Sequence, residues 1–416
     1  MWKRLVVFLG IIAVAEYYSY VVVRSAVRMA PQYWRNALMA LYLLVTVLSW
    51  LGLFFFRQIQ GSEMPGFLRN LYIAGMMGIF VGKMLIAVMM LVDELRRLAL
   101  WIWRFFNPAA PSLSVPASGT GIPRSVFISR MALLAGITSV SSFIYGIGNR
   151  YRYRVRRIRI RHEDLPAAFR GLKIVQLSDI HSGSFDNPEA VMQGVQRALD
   201  EKPDLILFTG DLVNSRADEM AGYEEIFSRL KAPMGVYSVL GNHDYGDYVS
   251  WESPEAKARN LEHLKRIQEE MGWKLLMNEH VILERDGASI ALIGIENWGA
   301  KAGFPKYGNM QRAWQGLPEK NIPFRILLSH DPSHWDAQVR PEYPGVQLTL
   351  SGHTHGMQFG VEIPGLKWSP VQYIYKKWAG LYREGNQYLY VNRGFGFIGY
   401  PGRLGILPEI TVIELE

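Results

Sequence analysis

The chain of 416 residues has no cysteine. That excludes disulfide staples and thiolate metal sites, and says nothing of redox compartment. It has no internal repeat and no disordered tract. Charge is absent from Ala37 to Phe56, a run long enough to cross a bilayer core of ~30 Å at ~1.5 Å per residue. Acidic residues are scarce in the first 150 positions, with 4 against 14 basic ones, whereas the rest of the chain holds 33 acidic and 31 basic residues. The net charge of +8 therefore belongs to the flanks of membrane spans, and nucleic acid is not an expected partner.

Three further apolar runs accompany Ala37–Phe56. Leu71–Val92 is interrupted by Lys83, Leu5–Val23 by Glu16, and Met131–Gly148 is shorter and richer in Gly and Ser. About four helices are thus expected in an all-α transmembrane region over residues 1–150, with a Pro/Ser/Ala/Gly linker at 107–123. Met1–Arg4 is charged, but Glu16 and the lack of a small-residue cleavage site argue against a removed signal peptide. Glu16 and Lys83 invite a functional reading at membrane depth, although pairing with each other or snorkelling accounts for both. Between Arg150 and Arg161 stand seven arginines, which would favour a cytoplasmic domain. Their alternation with Tyr, Val and Ile reads instead as a strand of the folded part. Without them the more basic loops are those with Arg24, Arg28 and Arg35, and with Arg96, Arg97, Arg104, Arg124 and Arg130. The expectation is an integral protein of the cytoplasmic (inner) membrane whose second domain, 151–416, leans to the extracytoplasmic side.

From Leu172 onward short apolar runs end in polar motifs. Lys173–Leu177 leads to Asp179-Ile180-His181, Leu205–Phe208 to Gly210-Asp211, and Gly235–Leu240 to Gly241-Asn242-His243-Asp244. Ile290–Ile295 leads to Glu296-Asn297-Trp298, Phe324–Leu328 to His330-Asp331, and Val346–Leu350 to Gly352-His353-Thr354-His355. Pro188–Leu199 and Ala256–Met271 read as amphipathic helices between strands, the second stopped by Gly272. This is the pattern of an α/β domain whose site gathers at the carboxyl ends of its strands. Asp179 and His181, spaced by two in an extended segment, are expected to face one way. Carboxylate, amide and imidazole donors without thiolate suit Mn, Fe or Zn better than Mg or Ca. They are too many for one tetrahedral site and about right for two ions sharing a carboxylate. His162, His263, His280 and His334 lack that placement and read as surface or structural.

In their order these motifs resemble the calcineurin-like metallophosphoesterase superfamily, over about Leu172 to the C-terminus. The bacterial membrane-anchored branch, which includes enzymes cleaving the pyrophosphate of UDP-diacylglucosamine, is similar in its closing segment as well: Ala379–Arg383, Asn392–Gly396 and Leu407–Ile410. The resemblance implies two packed β-sheets flanked by helices. It implies one divalent ion on Asp179, His181, Asp211 and His355, and a second on Asp211, Asn242, His330 and His353, with manganese first and iron or zinc as alternatives. Asp211 would bridge them. His243 would contact phosphoryl oxygens or protonate the leaving oxygen, steadied by Asp244, while hydroxide made from a bridging water attacks. Arg393 is a substrate-binding candidate. Met357 departs from the branch, where a second Gly is common. The expected activity is hydrolysis of a phosphodiester or pyrophosphate bond, with a lipid-linked substrate suggested by the anchor. A Trp368–Trp378 segment mixing aromatic and basic side chains could meet the membrane interface or simply pack. A broad phosphomonoesterase and a silent metal-binding membrane sensor remain as alternatives. Oligomeric state is not legible.

Overall fold

The computed structural model describes residues 2–60, 64–107, 124–301, 303–304, 306–317 and 322–416. The expected 107–123 linker lies, apart from Asn107, outside the described residues. The chain divides into two compact units, Met1–Ile147 and Gly148–Glu416.

The first unit is helical. Its long helices are Trp2–Val27, Gln32–Phe54, Gly66–Phe106 and Arg124–Ile147. Among the described residues three have the length and apolar character to cross a membrane: Gln32–Phe54, Gly66–Phe106 and Val126–Ile147. The third helix, 41 residues long, outlasts the expected Leu71–Val92 span, because at ~1.5 Å per residue it is about twice as long as a bilayer core is thick. Its glycines let it approach the last helix closely. A Cβ at Gly78 would fall 2.7 Å from the Val140 backbone, and Ser139 Oγ donates to Gly78 O at 3.0 Å. The two intramembrane charges find each other: Lys83 Nζ lies 2.7 and 2.8 Å from the Glu16 carboxylate oxygens and 3.0 Å from Thr46 Oγ1. Trp50 Nε1 also donates to Glu16, at 3.1 Å.

The second unit is a two-sheet sandwich. One sheet contains β1 (Arg154–Ile160), β2 (Lys173–Leu177), β3 (Leu205–Phe208), β4 (Val236–Ser238) and β5 (Lys274–Leu275). The other contains β6 (Glu279–Arg285), β7 (Ala288–Gly294), β8 (Arg325–Leu328) and β9 (Leu348–Ser351). A separate hairpin joins β10 (Val361–Ile363) to β11 (Leu366–Trp368); β12 (Gly380–Glu384) and β13 (Gln387–Val391) extend the second sheet, and β14 (Glu409–Leu415) returns to the first. The orders are β1-β14-β2-β3-β4-β5 and β12-β13-β9-β8-β7-β6. The arginine-rich run is thus a strand, paired in parallel with β14 from Arg154↔Glu409 to Ile160↔Leu415.

Alternation explains the layers. Leu205 and Leu207 of β3 join Ile290, Leu292, Ile326, Leu328, Leu348 and Leu350 in a core between the sheets. Ile206 and Phe208, one residue out of phase, pack outward with Val191, Val195, Leu264 and Ile267. These last come from helices Pro188–Asp200 and Pro254–Glu270. Both sheet faces are buried, so the strands read as continuous apolar runs. The helices start at side-chain caps: Asn187 accepts from Ala190 N at 2.9 Å and Ser253 from Ala256 N at 3.2 Å. The second outer layer holds Ile293, Leu327, Trp335, Val339 and Val391. The result is helices, sheet, sheet, helices, with the carboxyl ends of β2, β3, β4, β8 and β9 converging.

Candidate metal centre

At the end of β2 the chain stops being extended. Asp179 and His181 both take left-handed backbone, φ 51° each, with buried Ile180 between them. The expected strand-like alternation does not occur; two left-handed turns bring the side chains together. Asp211 (φ 61°), His353 (φ 68°) and His355 (φ 49°) are left-handed too. Non-glycine residues seldom adopt this region, and strain of this kind concentrates where side-chain geometry matters more than stability. Gly210 and Gly241 supply the room: a Cβ on Gly241 would lie 2.2 Å from Asp211 Oδ1.

Two ligand groups result, Asp179 with His181 and His355, and Asp211 with His330 and His353. In the first, His355 Nε2 lies 3.2 Å from Asp179 Oδ1 and 3.0 Å from His181 Nε2. In the second, His330 Nε2 lies 3.1 Å from Asp211 Oδ2, and Asn242 Oδ1 lies 2.8 Å from His353 Nδ1. Asp211 Oδ2 also stands 3.5 Å from His181 Nε2, so this carboxylate belongs to both groups. The donor set fits cations. Two imidazole nitrogens 3.0 Å apart can share only one proton, and a ring nitrogen facing an amide or carboxylate oxygen needs a proton or a metal ion between them. Nitrogen and oxygen donors without sulfur suit borderline divalent metals.

The surrounding hydrogen bonds set which nitrogens are free. His330 Nδ1 lies 2.7 Å from Thr209 O, and a proton held there leaves Nε2 for a metal. His353 Nε2 lies 2.9 Å from Tyr375 Oη, which donates to Asp331 Oδ2 at 3.3 Å. That chain leaves Nδ1 free beside Asn242. Burial holds His181, His353 and His355 below the ordinary imidazole value, hence neutral, as ligands must be. His330 goes the other way: burial opposes protonation, but the Asp211 charge prevails and its pKa rises to about 10.

His243 is half-buried at the rim, its ring 5.0 Å from that of His181. Its Nδ1 is 2.7 Å from Asn214 O, and its backbone N donates to Asp211 Oδ1 at 2.8 Å. Asp244 does not steady it. The Asp244 carboxylate is fully buried and accepts backbone N–H bonds from Asp211 (2.9 Å), Leu212 (2.7 Å), Val213 (3.3 Å) and Gly241 (2.8 Å). It braces the Asp211 loop, and Asn214 O orients His243 in its place. Arg393 is likewise not a substrate ligand. It is buried and ion-paired with Glu409 at 2.5 Å and Glu362 at 2.6 Å, away from the cleft. Glu296, at the end of β7, accepts from Tyr245 Oη at 3.0 Å and lies outside both ligand groups. His334 is held by Ser329 and Gln338 over Trp298. His162 and His280 bond to backbone carbonyls.

Over the groups opens a cleft of about 250 Å³, lined also by Phe304, Val371, Ile374, Tyr375 and Ile398. Tyr375, Asp331 and Arg403 stand at the centre without having been expected there. Asp331 carries a signal, its adjacency to His330. Arg403 carries none: it is buried behind His355, with Nη2 3.2 Å from His355 Nδ1 and further bonds to Arg393 O and Gly394 O.

A family model described as calcineurin-like phosphoesterase matches residues 172–357. Metallophosphoesterase YkuE of Bacillus subtilis is 32% identical over 259 residues, 61% of this chain and 82% of that protein. The chain belongs to the calcineurin-like phosphoesterase family. A second model, described as a probable calcineurin-like phosphoesterase transmembrane domain, matches residues 3–149. This calcineurin-like phosphoesterase is therefore a hydrolase joined to a membrane domain; membership implies divalent metals, and the two buried His/Asp groups are able to hold them. Phosphodiesterase YaeI of Escherichia coli is 28% identical, covering 58% of this chain and 82% of that protein. UDP-2,3-diacylglucosamine pyrophosphatase LpxG of Chlamydia trachomatis is 29% identical, covering 56% and 81%.

Proposed function

We propose that this protein is a membrane-anchored dinuclear phosphoesterase that hydrolyses a phosphodiester or pyrophosphate bond, of the kind found in lipid-linked substrates. The observation that carries it is Asp211, whose Oδ2 stands between His181 Nε2 at 3.5 Å and His330 Nε2 at 3.1 Å. Asp179, His181, Asp211 and His355 would hold one divalent ion, manganese in the first instance, and Asp211, Asn242, His330 and His353 the other. Such a pair supplies Lewis acidity to phosphoryl oxygens and a water-derived nucleophile at neutral pH. His243, its Nδ1–H donated to Asn214 O, presents Nε2 to the cleft, and in its imidazolium form would give the Nε2 proton to the leaving oxygen, ending as neutral imidazole. Phe304, Ile374 and Ile398 exclude water from part of the lining. Among the described residues no Lys or Arg lines the cleft, which favours a diester over a monoester dianion. The names of YaeI and LpxG support the same bond types. With Trp2–Val27 as a fourth span, the arginines at the helix ends (Arg24, Arg28 and Arg35; Arg104 and Arg124) support placing the domain on the extracytoplasmic side of the cytoplasmic membrane.

The test is turnover by the full chain in detergent with Mn2+, offered bis-p-nitrophenyl phosphate, p-nitrophenyl phosphate and pyrophosphate in parallel. Asp211→Asn should nearly abolish turnover. His243→Ala should lower kcat ~10²–10⁴-fold with bound metal intact. Loss of both metals in His243→Ala, or preference for the monoester, would reject these assignments.

A further inference from the structure

Among the described residues of the second unit, eight large hydrophobic side chains are exposed, and seven of them lie between positions 357 and 381. The hairpin β10–β11 shows how. Its strands pair antiparallel with Val361 opposite Trp368 and Ile363 opposite Leu366. Cross-strand partners and alternate residues share a face, so these four side chains form one side of the hairpin. That side is turned outward: Val361 is 38%, Ile363 58% and Leu366 51% exposed. On the other side Glu362 is half-buried, and Lys367 is exposed overall with its ammonium folded back onto the domain. Glu362 pairs with Arg156 at 2.5 Å and Arg393 at 2.6 Å, and Lys367 lies 4.6 Å from the centre of the Trp378 ring and bonds to Ala379 O. A hairpin lying between core and water would bury its apolar side, whereas here three of the four apolar side chains are exposed. The tip, Pro364-Gly365, adds no polar side chain, and Gly365 (φ 80°) makes the turn there.

The outward face continues toward the cleft. Trp368 Nε1 donates to Tyr373 Oη at 3.4 Å; Tyr373 is 77% and Ile374 52% exposed. Ile374 is also part of the cleft wall, and Lys376 beside it is exposed. Aliphatic side chains rimmed by Trp, Tyr and Lys have the composition of an interfacial anchor. A bilayer is also the surface this domain meets at high effective concentration, because an apolar span ends at Ile147 and the domain begins at Gly148.

We propose that the hairpin Val361–Trp368 and the Tyr373–Ile374 turn dock on the lipid bilayer, giving a membrane-resident phosphoester a path over Ile374 into the metal cleft. The substrate half rests on the phosphoesterase reading; the docking half does not.

Because the chain lacks cysteine, Ile363→Cys creates a single labelling position for a polarity-sensitive nitrobenzoxadiazole fluorophore. The labelled full chain is placed in phosphatidylcholine/phosphatidylglycerol nanodiscs with and without nitroxide-bearing lipid. Asp286→Cys, in the β6–β7 turn, is the control. Blue-shifted emission and nitroxide quenching at position 363, absent at 286, is the expected result. Water-like, unquenched emission at 363, or equal quenching at both positions, overturns docking. Transfer only between labels on two copies overturns it in favour of a protein contact. In a second variant, Ile363→Asp with Leu366→Asp, a label placed by Tyr373→Cys should lose its quenching to the level of position 286, while turnover of the soluble diester stays within about twofold, a shift of ~0.4 kcal/mol. Undiminished quenching at 373 would overturn the hairpin's part. Absence of diester turnover in the unaltered chain would remove the substrate path and leave docking decided by the labels.

Discussion

Asp244→Asn separates bracing from catalysis. The carboxylate accepts four backbone N–H bonds, all shorter than 3.4 Å, and is shut away from solvent. Asparagine keeps one oxygen and turns an NH2 group on two of those donors. Two hydrogen bonds to a charged group, each ~1.5–3 kcal/mol, are lost, so the variant should be destabilised by about 3–6 kcal/mol. For a domain of this size that lowers Tm by roughly 10 °C. The same N–H groups hold Asp211 in its left-handed conformation, so metal affinity should fall as well. Thermal melting of the metal-loaded protein in detergent, with His243→Ala alongside, reads both effects; His243→Ala should melt within ~1 kcal/mol of the unaltered chain. The opposing physics is definite. Burial and the Asp211 charge push the Asp244 pKa up to about 7, against the pull of the N–H bonds. If that push wins, the folded state holds an extra proton. Stability is then full below the ordinary carboxyl range and declines as pH rises through 7, and Asn becomes a near-isosteric replacement. A D244N protein as stable as the parent at pH 5, and more stable at pH 8, would refute the four-bond brace.

Tyr375→Phe removes the hydroxyl at His353 Nε2 and should weaken one metal site ~10–100-fold while sparing the other, measured as loss of about half the bound metal on dialysis. Metal must displace the proton that Asp211 draws onto His330, so affinity should rise with pH up to about 10, by roughly tenfold per unit for that ion. Calorimetry in buffers of different ionisation enthalpy should show about one proton released there. Met357 sits at φ 58° and is 53% exposed, so Met357→Gly relieves ~1–2 kcal/mol of backbone strain, less ~0.5–1 kcal/mol of added chain entropy. Tm should rise slightly.

The apolar runs before each motif identified the strands because both sheet faces are covered, and burial on both sides leaves an unbroken hydrophobic signature. Asp179, His181, Asp211, His330, His353 and His355, which the structure gathers into two groups able to hold metal, were legible for the same reason: each follows a strand end. What lay beyond reach was anything set by backbone conformation or by contacts distant in sequence. Asp179 and His181 meet through left-handed turns that spacing does not reveal. Asp244 follows His243 directly, yet its partners are four amides from two loops. Arg393 looked available for a phosphate because Glu362 and Glu409, which neutralise it, stand 31 and 16 positions away. The hairpin's uncovered apolar side was hidden because a three-residue strand is too short to show a period.

The parallel pairing of β1 with β14 has a consequence for biosynthesis. The strand made first in the domain cannot be hydrogen-bonded into its sheet until one about 250 residues later in the chain arrives, and β14 also separates β1 from β2. Such long-range closure is slow, and an unpaired strand is an aggregation hazard while it waits. Arginine at four of the seven positions of Arg154–Ile160 keeps this one soluble in the interval. The residues that looked like a topological signal thus act as a safeguard for a nascent chain already fastened to its membrane.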